Sequence, residues 1–355
     1  MNLKLAKPSI DHREIDATTS VLESGWLVRG PQTKLFEEEF ARFVGAKHAV
    51  ATMGCTMALY LALKHMGLTE EDEVIVPSFT WTATASAVIQ AGAKPVFADI
   101  RRDDWCLDPE DARRRITSRT KLVIPVHYCG RFAGGFEDFP VPVLFDSAHR
   151  IERDDFKGVP SCYSFYGIKN MTTTRGGMVV TDDDEAASWY RMVCHGGLSR
   201  DTLSRYQGID AAANPSSFYY EVEVPTWNFD MTDVQAAVGR EQLTKVELLN
   251  EKRNKVTAKY NKVFGLQNTG NHMYPLLVRN RDEFLVAMKK AGIQCGIHYL
   301  PLHTMKGYRH LRTEILPVTE YIGDHCATIP LYPDLSEEDT DYIISNVVKF
   351  AQIIH

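Results

Sequence analysis

The chain has 355 residues, of which 44% are hydrophobic and 24% charged, enough to bury one large domain and a smaller one. A formal net charge of −6 leaves no basic footprint for nucleic acid, and no apolar run approaches the roughly 18 residues of a membrane span. The seven cysteines are scattered without a C-x-x-C pair, and the first ten residues hold no apolar signal region, so free thiols and a cytoplasmic location are expected. His298 and His303 are five apart around Pro301 rather than at helical spacing, and no metal is assigned.

In chain order, Asp11 reads as the cap of a first helix that ends at Gly25, and a segment through about residue 30 wraps the remainder. Ala49-Val50-Ala51 leads through Gly54-Cys55-Thr56 into the helical pattern Ala58-Leu59-Tyr60-Leu61. A Gly and a Thr at such a turn present N–H groups and a hydroxyl to a phosphate, although Thr56 taken alone reads first as an ordinary N-cap. Val74-Ile75-Val76-Pro77 is a strand ending in Phe79 and Trp81, where an aromatic either faces a planar ligand or packs the core. Strands follow at Pro95-Val96-Phe97-Ala98 and Leu122-Val123-Ile124. Alternation of strands with helical patterns implies right-handed crossovers and a largely parallel sheet. The stretch 130–143 is short, with Gly134-Gly135 and Pro140, so the helix expected between two strands is trimmed or absent.

Val141-Pro142-Val143-Leu144-Phe145 then runs into Asp146-Ser147-Ala148-His149, which places Asp146 at the carboxyl end of a buried strand, where open α/β sheets put their ligands. Lys169 stands 23 residues further on, in Ser164-Phe165-Tyr166-Gly167-Ile168-Lys169, before Gly176-Gly177 and the strand Met178-Val179-Val180-Thr181. An amine and an upstream carboxylate on strand-edge loops suit pyridoxal phosphate, which needs a lysine for its Schiff base and an acid to keep its ring nitrogen protonated. Taken alone, both groups also read as solvated loop residues.

Beyond them, residues 196–225 lack periodicity and read as an active-site and dimer-facing loop, or as a disordered one. Residues 231–264 carry apolar positions spaced for long amphipathic helices. A small β-α-β unit is expected from strands at 273–278 and 293–299 around a helix at 281–291, and a closing helix starts at Ser336 with acids in its first turn.

Taken together, these motifs resemble the DegT/DnrJ family of sugar aminotransferases in family order along essentially the whole chain. They continue past Lys169 and Gly176-Gly177 with Asn228, Gln235-Ala236-Ala237, Gln242-Leu243 and His298-Tyr299. The resemblance implies an α/β, fold-type I pyridoxal phosphate-dependent transferase. Residues 1–235 would form a large domain on a mostly parallel central sheet, and 236–355 the linking helices and a smaller C-terminal α+β domain. It implies that Lys169 carries the Schiff base and moves the proton, and that Asp146 partners the pyridine nitrogen. His149 would lie near the ring, Cys55, Thr56 and Ser164 would cup the phosphate, and Trp81 would stack on the ring. Asn228 resembles an asparagine that reaches the cofactor of the neighbouring subunit, which implies a homodimer with shared active sites; an ordinary turn asparagine is the plainer reading. One family branch replaces the lysine with histidine and dehydrates its substrate, whereas this chain keeps lysine.

The implied activity is amino transfer from L-glutamate to the keto group of a nucleotide-linked deoxysugar, giving an amino sugar. A keto-cyclitol acceptor, or a pyridoxal phosphate-binding regulator without turnover, is the alternative. No helix-turn-helix extension or basic tract favours the regulator.

Overall fold

The computed structural model describes residues 2–199, 219–312 and 314–355. Helix α1 (His12–Ser24) opens with a reciprocal capping box, in which Asp11 accepts from the first turn while Glu14 accepts the Asp11 N–H at 2.9 Å. It closes on Gly25, whose φ of 73° is the left-handed conformation that a helix C-cap requires. Helix α2 (Pro31–Val44) has no side-chain cap from its own segment. The buried Asp233 carboxylate supplies it from far along the chain, accepting from the N–H groups of Gly30, Gln32 and Thr33 at 2.8, 3.0 and 2.9 Å.

Among the described residues, seven strands form the central sheet: β1 (His48–Thr52), β2 (Glu73–Pro77), β3 (Lys94–Ala98), β4 (Thr120–Val123), β5 (Phe145–Asp146), β6 (Ser161–Ser164) and β7 (Gly177–Thr181). Their order is β3-β2-β4-β5-β6-β7-β1, with β4 and β5 joined through the parallel bridges Val123 to Val143 and Val126 to Asp146. Only β7 runs against its neighbours, so the sheet is mostly parallel, as the sequence implies.

Both faces are covered, which explains why the strands read as unbroken apolar runs. Val50, Val179 and Cys162 point to the side holding α3 (Cys55–His65), α4 (Thr82–Ala91) and α6 (Asp184–Cys194). The alternating Ala49, Met178, Val180 and Tyr163 meet Phe36 and Phe40 of α2 on the other side. A short helix, α5 (Pro109–Arg114), precedes β4. Between β4 and β5 only the 3₁₀ turn Tyr128–Gly130 forms, as the Gly and Pro content of that stretch predicts.

The expected helices of 231–264 are one continuous helix, α7 (Asp233–Phe264), of 32 residues. Beyond it come β8 (Tyr274–Leu277), α8 (Arg281–Lys290), α9 (Pro317–His325), β9 (Cys326–Ile329) and α10 (Glu337–Phe350), with Ser336 capping α10. One expectation is corrected here. Residues 293–299 do not form the second strand of this unit; β9 pairs antiparallel with β8 instead. The apolar run of β9 returns from α9 beside β8, and 293–299 is left with single bridges, Ile293 to Leu3 and Gly296 to Thr328.

Candidate active site

Loops at the carboxyl ends of β2, β4, β5 and β6 converge with the start of α3, at the sheet edge where the sequence places the candidate residues. Asp146 closes β5 and is buried. Its Oδ2 accepts from the Thr84 hydroxyl at 2.8 Å and its Oδ1 from the Ala148 N–H at 3.1 Å, while the Cys55 thiol lies 3.9 Å from Oδ1. Burial pushes the Asp146 carboxyl above its usual range, and Thr84, Ala148 and Lys169 pull it back. Lys169 sits in a turn closed by its N–H donating to Tyr166 O at 2.9 Å. Burial lowers its amine to about 8, and the negative charge of Asp146 works against that fall.

The α3 N-terminus comes close to these groups because β7 begins with glycine. A Cβ on Gly177 would stand 2.4 Å from Cys55 N and 2.5 Å from Gly54 C, so any side chain there would push the helix away. Gly54, rather than Thr56, is the N-cap, and no side chain caps this helix. The Cys55 and Thr56 N–H groups lie in the first turn, where a helix offers them no acceptor, and Thr56 is half-buried beside them. The Ser164 hydroxyl, buried at the end of β6, accepts from Tyr166 N–H at 3.4 Å.

His149 is buried, and its tautomer follows from its neighbours. The Cys129 N–H, a donor only, points at Nδ1 at 3.2 Å, so Nδ1 is unprotonated and Nε2 donates to the Tyr299 hydroxyl at 3.0 Å. Cys129 adopts φ 58° to make that contact, a left-handed conformation uncommon for a side chain with Cβ. Burial and the nearby Lys169 hold His149 well below its ordinary pKa, so the ring is a neutral, fixed plane. Trp81 is the N-cap of α4 and 61% exposed; its ring lies 6.1 Å from that of Tyr299, which in turn lies 6.0 Å from His149 at 24°.

Residues 8–348 match the model of the DegT/DnrJ/EryC1/StrS aminotransferase family. The chain belongs to that family. It is 35% identical to the spore coat polysaccharide biosynthesis protein SpsC of Bacillus subtilis, over 97% of this chain and 96% of SpsC. Among solved structures, Helicobacter pylori PseC, an aminotransferase involved in pseudoaminic acid biosynthesis, superposes with a TM-score of 0.88 at 26% identity, covering 98% and 99% of the two chains. Spr1654 of Streptococcus pneumoniae in its PMP form gives 0.88 at 26% identity, covering 97% and 98%, and it has also been solved in a PLP form.

In this aminotransferase, then, Lys169, Asp146, His149, Cys55, Thr56 and Ser164 all line one sheet edge, whereas Asn228 does not join them. Asn228 is exposed, bridges to His195, and its Oδ1 accepts from Asp230 N–H at 2.9 Å. Of the loop at 196–225, residues 200–218 lie outside the described residues. Sequence reasoning left three contributors without a role: Thr84, which holds Asp146; Cys129, which fixes the His149 tautomer; and Tyr299, cited only within a motif. A threonine on the otherwise apolar buried face of α4 is the signal that could have found Thr84. No helix among the described residues is long and apolar enough to cross a membrane.

Proposed function

We propose that this family member is a pyridoxal phosphate-dependent sugar aminotransferase that moves an amino group from L-glutamate to the keto group of a nucleotide-linked deoxysugar. One observation carries the reading: an amine that burial lowers to about 8 lies within electrostatic reach of a buried, hydrogen-bonded carboxylate beside an open helix N-terminus. Those groups fit the cofactor. Lys169 would hold its aldehyde carbon, Asp146 its ring nitrogen, His149 one ring face, and Cys55, Thr56 and Ser164 its phosphate. Bound there, the cofactor supplies an electron sink and a carrier for the amino group.

The protein's own groups set the proton traffic. Lys169 Nζ, depressed to about 8, is partly neutral near physiological pH and so can accept and return a proton at the substrate carbon. Asp146 Oδ1 accepts from both the Ala148 N–H and the Cys55 thiol, whereas Oδ2 keeps a lone pair after Thr84 donates to it, so Oδ2 can hold a proton shared with a ring nitrogen. His149 is locked by Cys129 and Tyr299, which suits orientation rather than proton transfer.

The same reading makes the enzyme a cytoplasmic homodimer with shared sites, in which 1–235 forms the cofactor-binding domain and 236–355 the linking helix and smaller domain. Asn228 stands next to Trp227, 64% exposed, while Met53 N–H bonds Phe229 O and exposed Leu27 and Val28 accept from Asp233 N–H. Exposed apolar side chains on this stretch, Trp227 among them, suit burial against a second copy. PseC and SpsC, by their names, support a sugar or polysaccharide pathway.

The test is an absorbance scan of purified protein with L-glutamate, followed by turnover on a panel of nucleotide-linked ketosugars and keto-cyclitols. Conversion of the cofactor spectrum by glutamate and turnover of a nucleotide ketosugar are expected. Turnover of only a keto-cyclitol would replace the acceptor, and no glutamate half-reaction would favour the regulator.

A further inference from the structure

We propose that Arg253 is the positioning residue for Lys169: its guanidinium, reaching from the middle of α7, fixes the backbone of the turn that carries the amine. This inference rests on the reading that Lys169 holds the cofactor.

Arg253 is 5% exposed, and its hydrogen-bond partners among the described residues are neutral oxygens. Its Nη2 donates to the carbonyl of Asn170 at 2.9 Å and to that of Lys169 itself at 3.4 Å, and its Nη1 donates to Asn250 Oδ1 at 3.0 Å. Burial pushes the guanidinium down to about 10, with only Asp334 pulling it back. A buried cation costs stability unless its donors are satisfied, so a chain that needed only packing here would be served by an apolar side chain.

The surrounding contacts make this a built arrangement. Asn250 Nδ2 donates to Ile151 O at 2.9 Å, which fixes the acceptor that orients Arg253. Asn170 Nδ2 donates to both Asn250 Oδ1 at 3.0 Å and Asn271 Oδ1 at 3.1 Å, and Asn271 Nδ2 donates to Glu152 Oε1 at 2.9 Å. The residue next to the amine is therefore tied at its side chain to α7 and to the segment entering β8, and at its carbonyl to Arg253. With both carbonyls held, the Lys169 side chain starts from a fixed Cα, which is how supporting contacts keep a reacting atom within a fraction of an ångström.

The experiment compares wild type, R253M, R253K and N250L as purified apoproteins. Each is checked for folding by circular dichroism, titrated with pyridoxal phosphate by absorbance, and reduced with borohydride so that mass spectrometry reads the adduct on Lys169. Loss of the bonds to the Lys169 and Asn170 carbonyls, with that to Asn250, should weaken cofactor binding about tenfold in R253M and shift the pH midpoint of its bound-cofactor absorbance band, with R253K recovering part of both. N250L keeps the cation but removes its orienting acceptor, and a loss of about threefold is expected. A folded R253M with wild-type affinity and an unshifted midpoint overturns the proposal. Should R253M fail to fold, a folded N250L with unchanged affinity and midpoint overturns it. Absence of an adduct on Lys169 in the wild type would instead overturn the cofactor reading.

Discussion

Replacing Lys169 with methionine should make the cofactor-free protein more stable, even though on the proposed function it removes the amine that holds the cofactor. Methionine fills a similar volume without a charge, so the comparison isolates the cost of enclosing an ammonium. The amine's fall from 10.5 to about 8 corresponds to roughly 3 kcal/mol. Lys169 is half-buried as a whole, so solvent screening reduces this to about 2 kcal/mol. The pH dependence fixes the sign. Below about 8 both folded and unfolded chains carry the proton and the full cost stands; between about 8 and 10.5 the unfolded chain holds more proton, so wild type gains stability as pH rises. Above 10.5 both are neutral and the advantage of the variant disappears.

Urea unfolding of wild-type and K169M apoprotein, at one protein concentration and across this range, measures the difference. The same pair in an Asp146→Asn background removes the attraction between the two groups from the comparison. A variant no more stable than wild type near neutral pH, or a difference that does not shrink toward high pH, would refute the enclosure of the amine.

Thr84→Val deletes the hydroxyl that donates to Asp146 at 2.8 Å, and both half-reactions should slow by at least tenfold in stopped-flow absorbance, since such a bond to a charged group is worth about 1.5–3 kcal/mol. Gly177→Ala sets a methyl 2.4 Å from Cys55 N and should cost about 2–3 kcal/mol in denaturant unfolding together with weaker cofactor retention; a neutral result would mean that α3 yields easily. On the shared-site proposal Lys169→Ala and Asn228→Ala should each be inactive alone, and mixing them should restore activity in tagged heterodimers, where one site carries both defects and the other neither. Confirmed heterodimers without activity would rule out sites shared between subunits.

Much of this was legible in local sequence, because its causes are local. The Asp11 cap, the strand ending at Asp146 and the missing helix before β5 each follow from a few neighbouring residues. What the chain could not display are partnerships across long separations: Thr84 with Asp146, 62 residues apart, Tyr299 with His149, 150 apart, and Arg253 with the Lys169 carbonyl, 84 apart. The strand wrongly expected at 293–299 has the same origin. Its β-rich composition was real, but β9 arrives beside β8 from further along the chain. The α2 cap supplied by Asp233 is likewise invisible until the chain has folded.

The length of α7 has a consequence for how the molecule comes apart. At 32 residues it spans roughly 48 Å. Its first residue caps α2, its middle holds the turn of Lys169, and Tyr260 and Phe264 at its far end pack under β8 with Tyr274. Melting any part of this rod removes support from both sheets at once. The seven-stranded and two-stranded sheets should therefore share one calorimetric transition, with equal van't Hoff and calorimetric enthalpies for the folded unit, rather than melt in sequence.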